Sequence, residues 1–96
     1  MRVDFHPAAT QELEKSADWY AERSLDAARG FAIEVDAALR KIEGDPARFP
    51  HIDERHQVCG VDRYPFQIVY RNDRGRLFVV AIAHAKRRPN YWRGRA

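Results

Sequence analysis

Basic and aromatic residues crowd into the C-terminal part of this chain, where their types suit the binding of anions. From residue 84 to residue 95 the sequence has one histidine, one lysine and four arginines around the adjacent pair Tyr91 and Trp92, and no acid. Guanidinium groups bind phosphate or carboxylate through paired hydrogen bonds, and aromatic rings stack on bases or on arginines. The pattern indicates an anion-binding or partner-binding edge. A solvated terminus whose aromatic residues fold back onto the domain accounts for it equally well.

Few residues are candidates for acid–base or nucleophilic chemistry. His84 follows an apolar segment and could transfer protons near neutral pH, although a histidine there more often bonds the backbone at a strand end. The lone Cys59 is typical of a small buried apolar side chain. Twelve of the fourteen acids lie in the first half, mostly at helix positions expected to face solvent. With one cysteine and four scattered histidines, the chain is predicted to hold no metal and no cofactor.

Two arginines and two apolar residues extend the candidate binding set. Arg63 and Arg71 flank the apolar segment 65–70 and would enlarge the basic patch if they share its face of a sheet; otherwise they are ordinary surface residues. Trp19 and Ile33 lie off the main apolar stripes of two predicted helices. They are either at the edge of the core or exposed anchors for a partner, and a helical partner would favour the second interpretation.

Charge divides the chain into two unlike halves. Residues 1–54 carry 12 acids and 7 bases, a net charge of −5, whereas residues 55–96 carry 2 acids and 10 bases, a net charge of +8. The total of +3 conceals this division. A strongly basic half points to a polyanion or to an acidic partner.

Size and composition favour a small soluble protein. With 96 residues the chain is predicted to form a single domain over residues 1–96, whose modest core makes an obligate partner plausible. One cysteine excludes an internal disulfide and suits a reducing compartment. No apolar run approaches the roughly 18–20 residues of a membrane span, and the first residues do not resemble a signal peptide. We therefore expect a cytoplasmic location and no membrane contact.

Hydrophobic periodicity predicts a helical hairpin over residues 7–44, preceded by a short strand at residues 2–5. Pro7 suits the first turn of a helix, in which Leu13, Ala17 and Tyr20 form the apolar stripe and the acids, Glu12 among them, face solvent. Ser24 is a suitable N-cap for a second helix, and Gly44 is a suitable end for it.

After a loop at residues 45–55 the period changes to two. Residues 56–61 form a weak strand candidate and residues 66–71 a strong one, with a hairpin turn at 72–75 in which Gly75 can adopt a positive φ. Residues 77–83 are apolar on both faces and are predicted to form a central strand. Pro89 could begin a short terminal helix. The order β-α-α-β-β-β predicts an α+β fold, with the helical hairpin packed on a small antiparallel sheet.

Three features together resemble the RelE/ParE superfamily of bacterial toxins. They are the helical hairpin, the sequence Arg-Tyr-Pro-Phe-Gln-Ile-Val-Tyr at residues 63–70, and an apolar strand that ends in His-Ala-Lys-Arg-Arg-Pro-Asn-Tyr-Trp at residues 84–92. The resemblance covers essentially the whole chain. It implies a cytoplasmic toxin of a type II toxin–antitoxin module and a cognate antitoxin as partner, for which Trp19 and Ile33 are the candidate contacts.

The superfamily resemblance implies one of two targets. RelE-type members are similar to RNases that cut mRNA on the ribosome with sheet lysines and arginines, and ParE-type members inhibit DNA gyrase without that set. Here Gln67 occupies the position of a nuclease arginine, and residues 57–61 contain no lysine. We therefore favour a non-catalytic, ParE-like gyrase inhibitor. Its predicted target-binding residues are Arg63, Arg71, Lys86, Arg87, Arg88, Tyr91, Trp92 and Arg93.

Two alternatives to gyrase inhibition are kept. The first is a ribosome-dependent mRNA endonuclease, for which the resemblance offers His84, Arg87, Arg88 and Tyr91 as candidate catalytic residues. In that mechanism His84 or Tyr91 would transfer protons, and the arginines would hold the scissile phosphate. The second alternative is a partner-binding or nucleic-acid-binding module without toxicity.

Overall fold

The chain begins with a strand and a pair of helices and continues with three further strands. The structure, a computed structural model, describes residues 2–96. Its elements are β1 (Arg2–Phe5), α1 (Pro7–Arg23), α2 (Leu25–Gly44), β2 (Gln57–Gly60), β3 (Phe66–Asp73) and β4 (Arg76–His84). The predicted α+β class and the order β-α-α-β-β-β are confirmed.

Side-chain caps set the limits of the helical hairpin. His6 precedes α1, and its Nδ1 accepts a hydrogen bond from the backbone N–H of Ala8 at 3.0 Å. Ser24 serves both helices, because its N–H donates to the Tyr20 carbonyl at 2.8 Å and its Oγ accepts from Ala27 N at 3.2 Å. One residue therefore ends α1 and begins α2, and its role as the N-cap of α2 is the one that the sequence predicts.

The four strands lie in the order β1-β4-β3-β2. The pairs β2–β3 and β3–β4 are antiparallel, whereas β1 runs parallel to β4, so the predicted antiparallel sheet is mixed at this one edge. A parallel neighbour is feasible because the chain between β1 and β4 is long enough to include both helices. Strand β1 ends opposite Val79, so the edge of β4 from Val80 onward has no strand beside it.

The sheet has two differently covered faces. The helical hairpin covers one face, where Phe31, Val35 and Ile42 of α2 pack against Ile68 and the other inward residues of the strands. The opposite face, called the outer face here, carries a second apolar cluster made of Val58, Val69, Phe78, Val80, Ala81 and Ala83. A register shift at Val69/Tyr70 leaves Val80 without a cross-strand partner. This bulge lets two consecutive residues of β4, Val80 and Ala81, join the outer cluster.

The tail after β4 is a chain of turns. Hydrogen bonds between residues three apart link Tyr91 N to Arg88 O, Arg93 N to Asn90 O and Arg95 N to Trp92 O. Asn90 has a φ of 63°, which a continuous right-handed helix cannot contain. A terminal helix beginning at Pro89 is therefore not formed. Within residues 2–96 no helix is long and apolar enough to cross a membrane.

Candidate functional site

The C-terminal tail crosses the outer face of the sheet and is anchored there. Trp92 is 3% exposed and packs in the outer cluster with Val69, Val80, Ala81 and Ala83. Tyr91 is partly buried against the same cluster. Of the two interpretations left open by the sequence, the aromatic pair folds back onto the domain. Trp92 consequently has no exposed ring to offer to a target.

The first anchor of the tail is a single carboxylate from α1. Glu12 Oε1 accepts hydrogen bonds from Ile82 N at 3.0 Å and Arg95 Nη1 at 2.9 Å, and Oε2 accepts from Tyr91 Oη at 2.6 Å and Arg95 Nη2 at 2.9 Å. Arg95 Nη1 also donates to the Val80 carbonyl at 3.0 Å. Glu12 and Arg95 therefore satisfy the backbone of β4 where β1 no longer covers it. We call this group of contacts the Glu12 anchor.

The expectation that Glu12 faces solvent is wrong. The side chains of Glu12 and Arg95 are only 14% and 17% exposed. Burial raises the pKa of Glu12, but the hydrogen bonds from Arg95, Tyr91 and Ile82 outweigh it, so that the pKa lies below its ordinary 4.5. The partners lie 70 to 83 residues away along the chain, so no local pattern could have identified this role.

The second anchor lies in the loop before β2. Asp53 accepts hydrogen bonds from the backbone of Arg55 and His56, each at 2.8 Å, and from His56 Nδ1 at 2.9 Å. It also forms an ion pair with Arg93 Nε at 3.3 Å. Although desolvation raises the pKa of Asp53, the hydrogen bonds from Arg55 and His56 lower it to about 2. The His56 ring lies 4.7 Å from the Trp92 ring, so the same loop supports two residues of the tail.

We call residues 91–95 the docked segment and residues 86–88 (Lys86, Arg87 and Arg88) the basic segment. All three cations of the basic segment are exposed, and within residues 2–96 none of them forms an ion pair. The Arg87 guanidinium lies 4.0 Å from the centre of the Tyr91 ring. The basic segment is thus an exposed positive surface whose middle residue rests on the docked segment.

His84 holds the turn that leads into the basic segment. Its Nδ1 accepts a hydrogen bond from Lys86 N at 3.0 Å, and its carbonyl accepts from Arg87 N at 3.0 Å. The ring packs edge-on against Phe66, 4.9 Å between centroids. This arrangement is the backbone-bonding role that the sequence favoured for a histidine at a strand end.

An apolar groove of about 650 Å³ lies between α1 and the ends of β3 and β4. Trp19, Tyr20, Phe66 and His84 line it, with Lys15, Ser16, Pro65, Ala85 and Lys86. Trp19 is 51% exposed, and the Arg23 guanidinium lies 3.6 Å from its ring centre. Ile33 is 65% exposed on α2 but does not line the groove. The two predicted partner anchors are both exposed, and Trp19 is the one of the two that lines this groove.

The remaining predicted arginines do not gather into one patch. Arg63 lies in the loop before β3 with a φ of 69°, whereas Arg71 lies near the far end of β3. Arg71 donates to the Ala96 carbonyl at 3.2 Å, and burial together with the charge of Arg55 lowers its pKa. The two residues therefore lie at opposite ends of β3. They do not form one patch, although Arg71 contacts the end of the tail.

The site as built suits binding better than proton transfer. Burial and the hydrogen bond to Glu12 raise the pKa of Tyr91 far above its ordinary value, so its hydroxyl does not ionise near neutral pH. Cys59 is buried, and burial raises the pKa of its thiol, as expected for a structural cysteine. Among residues 2–96 no three histidine, cysteine, aspartate or glutamate side chains are grouped as a metal site requires.

Two comparisons with known proteins agree with this geometry. A sequence model of the ParE toxin of type II toxin–antitoxin systems, parDE, matches residues 3–89. The fold is similar to a solved structure described as the chromosomal ParDE TA system from P. aeruginosa, with a TM-score of 0.66 and 19% sequence identity over 90% of this chain and 97% of that chain. No curated protein matches the sequence. The region matched by the family model includes Glu12 and the basic segment and stops before the docked segment.

Proposed function

The chain belongs to the ParE family of toxins from type II toxin–antitoxin systems, and we propose that it arrests bacterial growth by binding and inhibiting DNA gyrase until a cognate antitoxin neutralises it. The proposal puts its action in the cytoplasm, where gyrase acts on the chromosome. It is a binding function and requires no bond to be made or broken by the toxin.

The basic segment is the observation that carries this proposal. Lys86, Arg87 and Arg88 are exposed and have no acidic partner among residues 2–96, so an external carboxylate or phosphate can bind them without breaking an internal ion pair. The turn at His84 and the docked segment fix both ends of these three residues. A segment ordered in advance loses less conformational entropy when it binds. We assign it the main contact with the target.

The other predicted target-binding residues take lesser parts in this proposal. Arg63 is exposed and could add a peripheral charge, whereas Arg93 and Arg71 already have internal partners in Asp53 and the Ala96 carbonyl. Tyr91 and Trp92 act by holding the segment in place. Rim charges chiefly speed association and make it sensitive to salt, so we expect binding to weaken as ionic strength rises.

The outer face carries few of the groups that an mRNA nuclease of the related RelE type would use, although Arg71 lies there over Phe78. Strand β2 and Gln67 of β3 place no cation there, and Trp92 covers the apolar residues at its centre. Cleavage of a phosphodiester needs a proton-transfer group beside the cations, and the Tyr91 hydroxyl is already bonded to Glu12. These features favour gyrase binding over RNA cleavage.

We propose the apolar groove as the antitoxin contact, with Trp19 as its exposed aromatic anchor. Lys15 and Lys86 stand among the groove residues, so a segment with apolar anchors and flanking acids would match both its surface and its charge. Ile33, on a separate face of α2, remains a predicted second contact. The similar ParDE structure makes an antitoxin partner the expected one.

A side-by-side assay on one preparation tests the target. The purified chain should block gyrase supercoiling and raise cleaved-DNA complexes, while primer extension on translated mRNA shows no new 5′ ends. The variant K86A/R87A/R88A should need at least about tenfold more protein for the same inhibition, a difference of about 1.4 kcal/mol in binding free energy.

The matched control is R2A/R29A/R40A, which removes three exposed cations elsewhere and should inhibit like the unaltered chain. New 5′ ends that vanish in R88A, with supercoiling unaffected, would replace gyrase inhibition by the nuclease alternative. Unhindered growth when the chain is induced alone would instead favour the non-toxic binding module.

A further inference from the structure

A single residue of α1, Glu12, anchors the docked segment. Glu12 takes four hydrogen bonds from three different places: the backbone of β4, the Tyr91 hydroxyl and both terminal nitrogens of Arg95. Among residues 2–96, Glu12 and Arg95 form the least exposed ion pair between an acidic side chain and a lysine or arginine. Such charge-assisted bonds at low exposure are stronger than those at the surface.

A continuous set of contacts joins Glu12 to the basic segment. Glu12 holds the Tyr91 hydroxyl at 2.6 Å, and the Arg87 guanidinium lies 4.0 Å from the centre of the same ring. Tyr91 N donates to the Arg88 carbonyl at 3.4 Å. The position of Tyr91 therefore fixes the direction in which Arg87 and Arg88 leave the surface.

We propose that Glu12 is a positioning residue of the toxin: it holds the tail on the outer face and so orients the basic segment for its target. This inference rests on the proposed function for the identity of the surface being oriented. Loss of the Glu12 carboxylate leaves the cations in place but allows the tail to leave the sheet. If the tail is docked only about one-tenth of the time, the apparent affinity for the target falls about tenfold.

Alternative tail anchors do not replace Glu12. The second anchor, called the loop anchor from here on, consists of Asp53 and His56. In its ion pair with Arg93, the arginine side chain is 52% exposed. Exposed pairs of this kind contribute little, because solvent screens them and the side chains lose rotamer freedom. The docked segment therefore has one strong polar anchor and one weak one, beside the burial of Trp92.

Glu12→Gln tests the proposal, with Glu14→Gln as its matched control. Both variants make the same chemical change on α1, but the Glu14 side chain is exposed. In a Trp19→Phe background Trp92 is the only tryptophan, so its emission reports the tail directly. We expect Glu12→Gln to shift the Trp92 emission to longer wavelength and to increase its quenching by acrylamide, with helical circular dichroism preserved. Glu14→Gln should change neither.

Growth arrest gives the functional readout without assuming a target. In the chain that retains Trp19, Glu12→Gln should raise the induction level needed for growth arrest about tenfold, in line with the docked fraction above. Arg95→Met attacks the same anchor from the tail, so it remains informative if Glu12→Gln fails to fold. The double variant, with both Glu12→Gln and Arg95→Met, should arrest growth no less than the less toxic of the two single variants, because both changes release the same tail.

Two outcomes would overturn the proposal. Trp92 emission that stays unchanged in both Glu12→Gln and Arg95→Met would mean that Glu12 does not hold the tail. A released Trp92 with undiminished growth arrest would mean that recognition does not need the docked tail. If the unaltered chain arrests no growth, both the proposed function and the role of Glu12 in recognition are wrong. The emission spectra still decide whether Glu12 anchors the tail.

Discussion

The basic segment and the docked segment belong to one short tail and are both rich in arginine, yet they do opposite things. In the basic segment, Arg87 and Arg88 are exposed and have no acidic partner among residues 2–96. In the docked segment, Arg95 is bonded to Glu12 and Arg93 to Asp53. The two acids come from the negatively charged half of the sequence, which the fold brings against the tail.

What an arginine of this tail does is decided by its partner. A guanidinium that meets a half-buried carboxylate becomes part of the fold, because separating the pair would leave a buried charge. A guanidinium with no internal carboxylate remains available to an external anion. The following predictions test this division, from the largest expected effect on stability to the smallest.

Trp92→Ala should lower the free energy of unfolding by about 3 to 5 kcal/mol, because it leaves a cavity in the outer cluster. Urea denaturation followed by circular dichroism measures it. The other tryptophan is the control: Trp19 is 51% exposed, so Trp19→Ala should cost less than about 1 kcal/mol. Equal losses in the two variants would show that the docked segment is no more buried than the surface.

Arg95→Met should lower the free energy of unfolding by about 1 to 3 kcal/mol, because the Glu12 carboxylate loses two of its donors while it stays largely buried. Arg93→Met breaks an exposed ion pair with Asp53 and should cost less than about 1 kcal/mol. The same denaturation experiment compares them. If Arg93→Met were the more damaging change, the loop anchor would be the principal one.

Acid should weaken the Glu12 anchor and the loop of Asp53 that supports the docked segment. Glu12 and Asp53 have folded-state pKa values below their ordinary 4.5 and 3.8. Their stabilisation is therefore fully present above those ordinary values and is lost as the pH falls through the folded-state values. The groups that face Glu12 are Tyr91 and Arg95 from the tail, and the Arg87 guanidinium lies 4.0 Å from the centre of the Tyr91 ring. The two arginines stay charged over this range.

Denaturation at several pH values between about 5 and 2 measures this effect, over the range in which the two carboxylates gain protons. The free energy of unfolding should fall less steeply with acid in Glu12→Gln than in the unaltered chain, whereas Glu14→Gln should keep the original slope. An unchanged slope in Glu12→Gln would contradict the low pKa assigned to this carboxylate.

Arg88→Ala should have the smallest effect on stability, within about 0.5 kcal/mol, because its side chain is exposed. Arg87→Ala should cost about 0.5 to 1 kcal/mol, since it removes a cation from the face of Tyr91. Thermal unfolding measures both, and growth arrest by the same variants should fall clearly. Loss of stability comparable to that of Arg95→Met would place these residues in the fold instead of the binding surface.

The elements of the fold follow from local signals that the sequence displays. Pro7 and Ser24 mark the starts of the two helices, and the capping bonds of Ser24 agree with that prediction. Gly44 lies at the end of α2, but as its last helical residue with Asp45 as the C-cap, and not at the C′ position that glycine favours. The change of period after residue 55 predicts the strands, and Gly75 has the positive φ expected in the turn. Such signals act within a few residues, where the chain itself imposes the geometry.

The candidate site is predicted less completely. The sequence identified the basic segment and Tyr91 by type and spacing. It left open whether Trp19 and Ile33 are at the edge of the core or exposed, and both are exposed. It missed Glu12, Asp53 and His56, because a glutamate on a polar helix face looks the same whether it meets solvent or a returning tail. It left open whether Arg63 and Arg71 share a basic patch, and the length of β3 separates them.

By itself the sequence determined the helical hairpin, the strands and the unequal division of charge, since these depend on neighbours along the chain. Which arginines pair with a carboxylate of the same chain depends on the tertiary structure. Strand β1 ends at Phe5, opposite Val79, and the edge of β4 beyond that point needs hydrogen-bond donors and acceptors. Glu12 and Arg95 meet there from positions 83 residues apart. A buried backbone edge must be satisfied, and that requirement arises only when the strands are assembled.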